Sequence, residues 1–144
     1  VPDRIWDDDP DLKAEAEAER EKRRTAQLEV ADARPPEFSD EALALRFSSK
    51  HGDNARYVAA WGRWLLWIGQ RWEFDATMHA FDMARAICRV ASAEVGPKRT
   101  KLAAAVASAK TVAAVVNLAR ADRRQAATVD QWDAEPWILT TKGA

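Results

Sequence analysis

The chain has 144 residues, 47% of them hydrophobic and 31% charged, which is the size of one ordinary domain with one core. No run reaches the roughly 18–25 apolar residues of a membrane span, so a soluble protein is expected. The lone Cys88, with His51 and His79 beside it, excludes a disulfide framework and any zinc cluster at recognisable spacing. The formal charge of −1 is a cancellation, because residues 1–37 carry 12 acids and 7 bases while the remainder carries 11 acids and 15 bases.

The chain begins at Val1 with neither an initiator methionine nor a signal-peptide pattern, which leads us to expect a piece of a longer protein. After Asp7-Asp8-Asp9-Pro10 the sequence is dense in Ala, Glu, Lys and Arg, with acids ahead of bases, and predicts a helix over 11–31. Its only large aliphatics are Leu12, Leu28 and Val30. Without a stripe to bury, it reads as a solvated linker helix.

Pro35-Pro36 stops that segment, and the main domain is expected to begin at about Phe38. Ser39-Asp40-Glu41 reads as a cap with an acidic first turn, followed by a short helix over 40–50 with Leu43, Arg46 and Phe47 at helical spacing. Gly52 is expected to supply the left-handed residue that ends it.

The stretch YVAAWGRWLLWIGQRWEF holds four of the seven tryptophans. Tyr57, Trp61, Trp64, Ile68 and Trp72 fall near helical spacing, but Gly62 and Gly69 would each weaken a helix by about 1 kcal/mol. Gly62-Arg63 and Gly69-Gln70 are instead Gly-X pairs suited to two-residue type II′ turns. A meander with strands over 57–61, 64–68 and 71–74 explains the sequence better. Its pairing would set Trp61 opposite Trp64, Ala60 opposite Leu65, Leu65 opposite Phe74 and Trp67 opposite Trp72. One face then collects Val58, Ala60, Leu65, Trp67, Trp72 and Phe74 and is entirely apolar, while the face with Tyr57, Trp61, Trp64 and Leu66 is mixed and suits partial exposure or a second contact.

Asp75 can cap a long helix over 76–95, striped by Met78, Phe81, Ala84, Cys88, Ala91 and Val95 and ended by Gly96-Pro97. Leu102, Val106, Ala109, Ala113 and Val116 mark a second long helix over 98–121 that packs back on the first. In the tail, Asp130 can cap a short turn, Pro136 ends it, and Trp137-Ile138-Leu139 continue as an extended segment.

No Gly-rich run has the form of a phosphate loop or a dinucleotide fingerprint. Cys88 on an apolar stripe reads as a small buried hydrophobe. His79 and Asp82 at i and i+3 form a surface pair without a companion nucleophile, and His51 suits the carbonyl end of its helix. No catalytic, cofactor-binding or metal-ligating residue is assigned.

One local excess remains: residues 85–124 hold nine bases (Arg85, Arg89, Lys98, Arg99, Lys101, Lys110, Arg120, Arg123, Arg124) against Glu94 and Asp122. Such an excess attracts polyanions, although helical Arg and Lys also simply solvate an outer face. The candidates for nucleic-acid contact are Lys98, Arg99, Lys101, Lys110, Arg120, Arg123 and Arg124. To these the meander adds Arg63 and Arg71, with Trp61 and Trp64 as stacking surfaces. The simpler alternative is that those two rings cover the first helix of the domain.

The ordered set FSDEALALRFSSKHGDNARYVAAWGRWLLWIGQRWEFD, a charged helix-helix stretch and QWDAEPWILTTKG resembles the N-terminal, helicase-preceding domain of the poxvirus and phage/plasmid primase-helicase family. Asp133-Ala134-Glu135-Pro136-Trp137-Ile138-Leu139 is similar to that family's Asp-x-x-Pro-Trp-Leu-Leu-type segment. The turn and hairpin that follow in the family are replaced here by Thr140-Thr141-Lys142-Gly143-Ala144.

The resemblance covers about Phe38 to Gly143 and implies a connector between a primase-polymerase and a superfamily 3 AAA+ helicase. Residues 1–37 would be the tether and 38–144 the connector, truncated at its C-terminus. It further implies that neither active centre lies in this stretch, that ATP and Mg serve the parent protein, and that single-stranded or forked DNA and the other protomers of a hexamer are partners. No membrane and no small-molecule substrate are expected, and the setting would be the cytoplasm of a bacterial host. The alternative is an oligomerisation collar that touches no nucleic acid. The fold class expected is α+β, mostly helical: a short helix, a three-stranded Trp-rich meander, two long antiparallel helices, a short C-terminal helix and an extended segment.

Overall fold

The computed structural model describes residues 10–133, and the chain divides into two units between Arg34 and Pro35. Among the described residues the first unit consists of one helix, α1 (Pro10–Asp32), opened by a proline whose missing N–H costs nothing there. Leu12, Leu28 and Val30 are all exposed, as the missing stripe implies, and Arg23 pairs with Glu19 one turn earlier at 3.1 Å.

The second unit is α+β and mostly helical, in the order α2 (Asp40–His51), β1 (Ala55–Val58), β2 (Arg63–Trp67), β3 (Trp72–Phe74), α3 (His79–Val95), α4 (Thr100–Val106), α5 (Ala109–Ala119), β4 (Ala126–Ala127) and α6 (Asp130–Asp133). The Ser39 hydroxyl accepts from the Ala42 N–H at 3.2 Å, so the expected cap of α2 is present. Gly52, by contrast, has φ −59 and is right-handed. What calls for a glycine there is space, because a Cβ would sit 3.1 Å from the Ser48 carbonyl oxygen.

The sheet runs β3-β2-β1-β4, with the first three strands antiparallel and β4 parallel to β1. The second hairpin turns at Gly69-Gln70 as expected: Gly69 has φ 96, the Ile68 N–H donates to Arg71 O at 3.0 Å, and Trp67 faces Trp72 and Leu65 faces Phe74. The first hairpin differs. Val58 faces Arg63 and Tyr57 faces Trp64, so residues 59–62 form the loop and the expected Trp61–Trp64 and Ala60–Leu65 pairs do not exist. Gly62, at φ 62, closes this loop rather than opening a two-residue turn. Two successive i→i+3 bonds shape it, Trp61 N–H to Val58 O and Gly62 N–H to Ala59 O, both 3.1 Å.

The slip is even-numbered, so each side chain on the strands keeps its face, while Trp61, now in the loop, leaves the face of Trp64 and packs beside Phe74 against the opposite cluster. The burial of the two faces is nevertheless not as expected. The face of Ala55, Tyr57, Trp64 and Leu66 packs on the helices with Leu43, Phe47, Ala84, Cys88 and Val115. The entirely apolar face forms a second, smaller cluster of Val58, Leu65 and Trp72 under Trp132 of α6, and its outer member Phe74 is 44% exposed.

Asp75 does cap α3. Its carboxylate accepts from the N–H groups of Thr77 (3.2 Å), His79 (2.9 Å) and Ala80 (2.9 Å). Reaching that far forward folds residues 75–78 into a turn with Met78 left-handed at φ 57, and the helix starts at His79 rather than 76. The second long helix is in fact two, bent by 50°. Ser108 takes the Thr111 N–H at 3.2 Å as a new N-cap, and the Thr111 hydroxyl donates to Ala105 O at 2.9 Å, so Ala107-Ser108 break the run.

Strand β4 follows the buried Gln125, whose carbonyl accepts the Tyr57 N–H at 2.7 Å while its side-chain amide donates to Ser48 O at 3.3 Å. Asp130, expected as a cap, is the first residue of the short helix α6. The extended segment Trp137-Ile138-Leu139, and the motif beyond Asp133, lie outside the described residues. No single helix among the described residues is long and apolar enough to cross a membrane.

Candidate nucleic-acid interface

Among the described residues there is no cluster of three or more His, Cys, Asp or Glu suited to a metal. Cys88 lies in the core, 1% exposed, and burial followed by the charge of Asp40 pushes its thiol up, away from the reactive thiolate. His51 is half-buried against the Phe47 ring. Burial holds its imidazole below the ordinary value against an opposing hydrogen bond to Asn54, with Lys50 and His79 adding to the lowering. Among the described residues neither has the companions of a catalytic site.

The basic candidates separate by what compensates each charge. Arg71 is forked onto Glu73 (3.0 and 2.6 Å). Arg124 is bidentate to Asp122 (3.0 and 2.9 Å), an interaction that holds the Asp122 carboxyl below the usual carboxylate range. Arg85 pairs with Asp82 at 3.0 Å. Arg123 is turned back onto Ala121 O, at 3.2 and 2.7 Å.

Arg63 and Arg120 are held differently, over rings: Arg63 lies 4.1 Å from the Phe74 centroid and Arg120 lies 4.9 Å from that of Tyr57. Stacking fixes a guanidinium without cancelling its charge. Arg89, Lys98, Arg99, Lys101 and Lys110 are exposed. The first turns of α4 and α5 contain no acid and carry Lys101 and Lys110 instead, against the preference of the helix dipole.

The two candidate stacking rings part company. Trp64 is 7% exposed, edge-on to Phe47 (5.7 Å) and tilted on Tyr57 (5.3 Å), so it covers α2 and offers no face to a base. Trp61 is half-buried and edge-on to Phe74 at 5.4 Å, at the rim of the second cluster.

Two recesses follow the seam between α3 and α5. One, of about 250 Å3, is lined by Phe81, Arg85, Arg89, Ala107, Ala109 and Val112. The other, of about 180 Å3, is lined by Arg63, Trp64, Asp75, Met78, Phe81, Val116 and Arg120 among others. Both contain Phe81. The lining residues rise along α3 as they fall along α5, so the helices pass antiparallel with Phe81 at the middle of the seam. Among the described residues Asp75 is the one acid in these linings, and its oxygens are engaged by three backbone N–H groups.

Phe81, Arg85 and Arg89 were not among the site candidates drawn from sequence. Their signal was present as Phe-x3-Arg-x3-Arg, one face of a helix at i, i+4 and i+8. Reading Phe81 only as core stripe and the arginines only as charge concealed it.

These observations define a small α+β domain with a basic, recessed helical face and no catalytic constellation among the described residues. The chain belongs to the family described as "D5 N terminal like", whose model matches residues 44–144. It carries the N-terminal domain of D5-like primase-helicase proteins. No curated protein and no solved structure matches it.

Proposed function

We propose that this domain connects a primase to a superfamily 3 AAA+ helicase in a phage-type replicative primase-helicase, and that it helps engage DNA through the basic face of α3, α4 and α5. The observation that carries the DNA part is the set of charges without a carboxylate partner among the described residues: Arg63 and Arg120 held on rings beside one recess, Arg89 in the lining of the other, and Lys98, Arg99, Lys101 and Lys110 exposed. A surface serving only solubility gains from intermixed acids, whereas a polyanion site keeps its cations uncancelled.

Fluorescence anisotropy against single-stranded and forked DNA tests this. If about four phosphates are neutralised on a single strand, log K falls against log salt with a slope of about −3. A folded chain that binds no DNA at low salt removes the proposal.

A second reading, a protein-interaction collar, draws on the exposed Met78 (68%), Ile68 (51%) and Phe74 (44%), apolar side chains of the kind that interfaces cover. Light scattering discriminates, because a stable ring formed without DNA favours the collar.

A further inference from the structure

The geometry points to the α3–α5 seam as a track for single-stranded nucleic acid, with a base resting on the Phe81 ring and phosphates held by Arg85 and Arg89 on one side and by Arg63 and Arg120 on the other. This deepens the DNA-engagement reading and rests on it.

Shape comes first. Proteins that read duplex DNA insert a convex helix or ribbon into a major groove about 12 Å wide. Here the cationic groups instead line recesses of about 250 and 180 Å3, set between two helices and joined at one aromatic ring. Concave, basic and aromatic is the combination that sequence-tolerant single-strand sites use.

Spacing agrees with shape. Helix α5 has 11 residues from Ala109 to Ala119, so the seam runs roughly 16 Å at 1.5 Å per residue, the reach of a few nucleotides rather than of a duplex turn.

Presentation of the charges agrees as well. Arg63 and Arg120 are fixed by Phe74 and Tyr57, so little rotamer freedom remains to be lost when they donate to a phosphate. Arg85 is tied to Asp82 at 3.0 Å in an exposed pair, and a phosphate can exchange with that carboxylate at little cost because such pairs contribute little. Phe81 is half-buried, packed against the core by one part and bordering both recesses by another.

The test uses the full chain and three oligonucleotides of one length, an oligo-dT, its abasic counterpart and a duplex, read by anisotropy at low salt. Arg89→Glu and Arg120→Glu are each expected to weaken oligo-dT binding at least tenfold, while Lys22→Glu on α1, with the same change in charge, stays within twofold. Phe81→Leu keeps apolar bulk and removes the ring. It is expected to cost roughly 5- to 150-fold on oligo-dT, the range of one stacked base, and nothing on the abasic strand. Circular dichroism establishes that each variant is folded.

DNA binding that Arg89→Glu and Arg120→Glu weaken no more than Lys22→Glu does would overturn the track while leaving DNA engagement intact. A duplex bound more tightly than oligo-dT, or a polyglutamate peptide displacing the strand at equal charge, would also overturn it, the latter making the seam a protein-docking site. Absence of binding to all three oligonucleotides would sink the track together with the broader reading.

Discussion

Trp64 decides between a stacking surface and a core, and its removal should be among the most damaging single changes in the domain. It is 7% exposed and touches Phe47 and Tyr57. Burying roughly 200–250 Å2 of such a side chain at about 25 cal/mol/Å2 gives an upper bound of about 5–6 kcal/mol. Large-to-small changes of Trp or Phe in cores cost about 3–5 kcal/mol. We therefore expect Trp64→Ala to cost about 4 kcal/mol, against a total of about 5–15 kcal/mol for a domain of this kind. That corresponds to a fall in Tm of roughly 15–30 °C.

Trp64→Phe sharpens the prediction. The indole N–H of Trp64 is buried with no acceptor among the described residues, and burying an unpaired donor costs about 1–3 kcal/mol. Phenylalanine loses apolar area but sheds that burden, so its net cost should stay within about 1–2 kcal/mol. Trp61→Ala, at the rim beside Phe74, should cost about 1 kcal/mol, close to the worth of one edge-on aromatic pair. Urea unfolding followed by far-UV circular dichroism measures all three. A Trp64→Ala protein as stable as Trp61→Ala would refute the assignment of Trp64 to the core.

Asp75→Ala removes the acceptor of three N–H groups and should destabilise by about 1–2 kcal/mol. It also removes the acid from the seam, so DNA affinity should rise as stability falls, and a fall in both would contradict the reading. Arg124→Ala should cost about 0.5–1 kcal/mol at pH 7, small because the arginine is 44% exposed. Arg124 depresses the Asp122 carboxyl in the folded state, so the stabilisation is present above the ordinary carboxylate value of 3.8 and is lost as pH falls through the lower folded value. Wild type and Arg124→Ala should therefore converge in urea titrations as pH falls through that lowered value, and a gap that does not narrow at all with acid would argue against the pair as its source.

Much of the fold was legible because its signals are local. Ser39 and Asp75 are caps whose partners lie within five residues, and the Gly69-Gln70 turn needs only a glycine in the right conformation between two β-rich runs. The misread elements depend on something further away. Strand β4 is two alanines, Ala126 and Ala127, with no alternation to detect, and it exists because the Gln125 carbonyl meets the Tyr57 N–H. The break at Ala107-Ser108 falls in an alanine-rich run of high helix propensity, where one serine outweighs its neighbours once Thr111 can answer it. Side-chain parity showed which meander residues share a face, but both faces were apolar enough to be covered. Which one the helices chose was set by Leu43, Phe47 and Cys88 arriving from other elements.

The site was obscured by a different cause. Charge counted along a sequence treats every arginine alike, yet Arg71, Arg85 and Arg124 have carboxylate partners, while Arg63 and Arg120 have rings. The local excess of residues 85–124 therefore overstates the cations available at Arg124 and understates the contribution of the hairpin through Arg63. The same Arg-ring stacking requires Phe74 to stay at the sheet's outer edge, 44% exposed, which an apolar core alone would not favour. An exposed ring that holds a cation beside a recess ties the tryptophan-rich meander to the basic helices as parts of one surface.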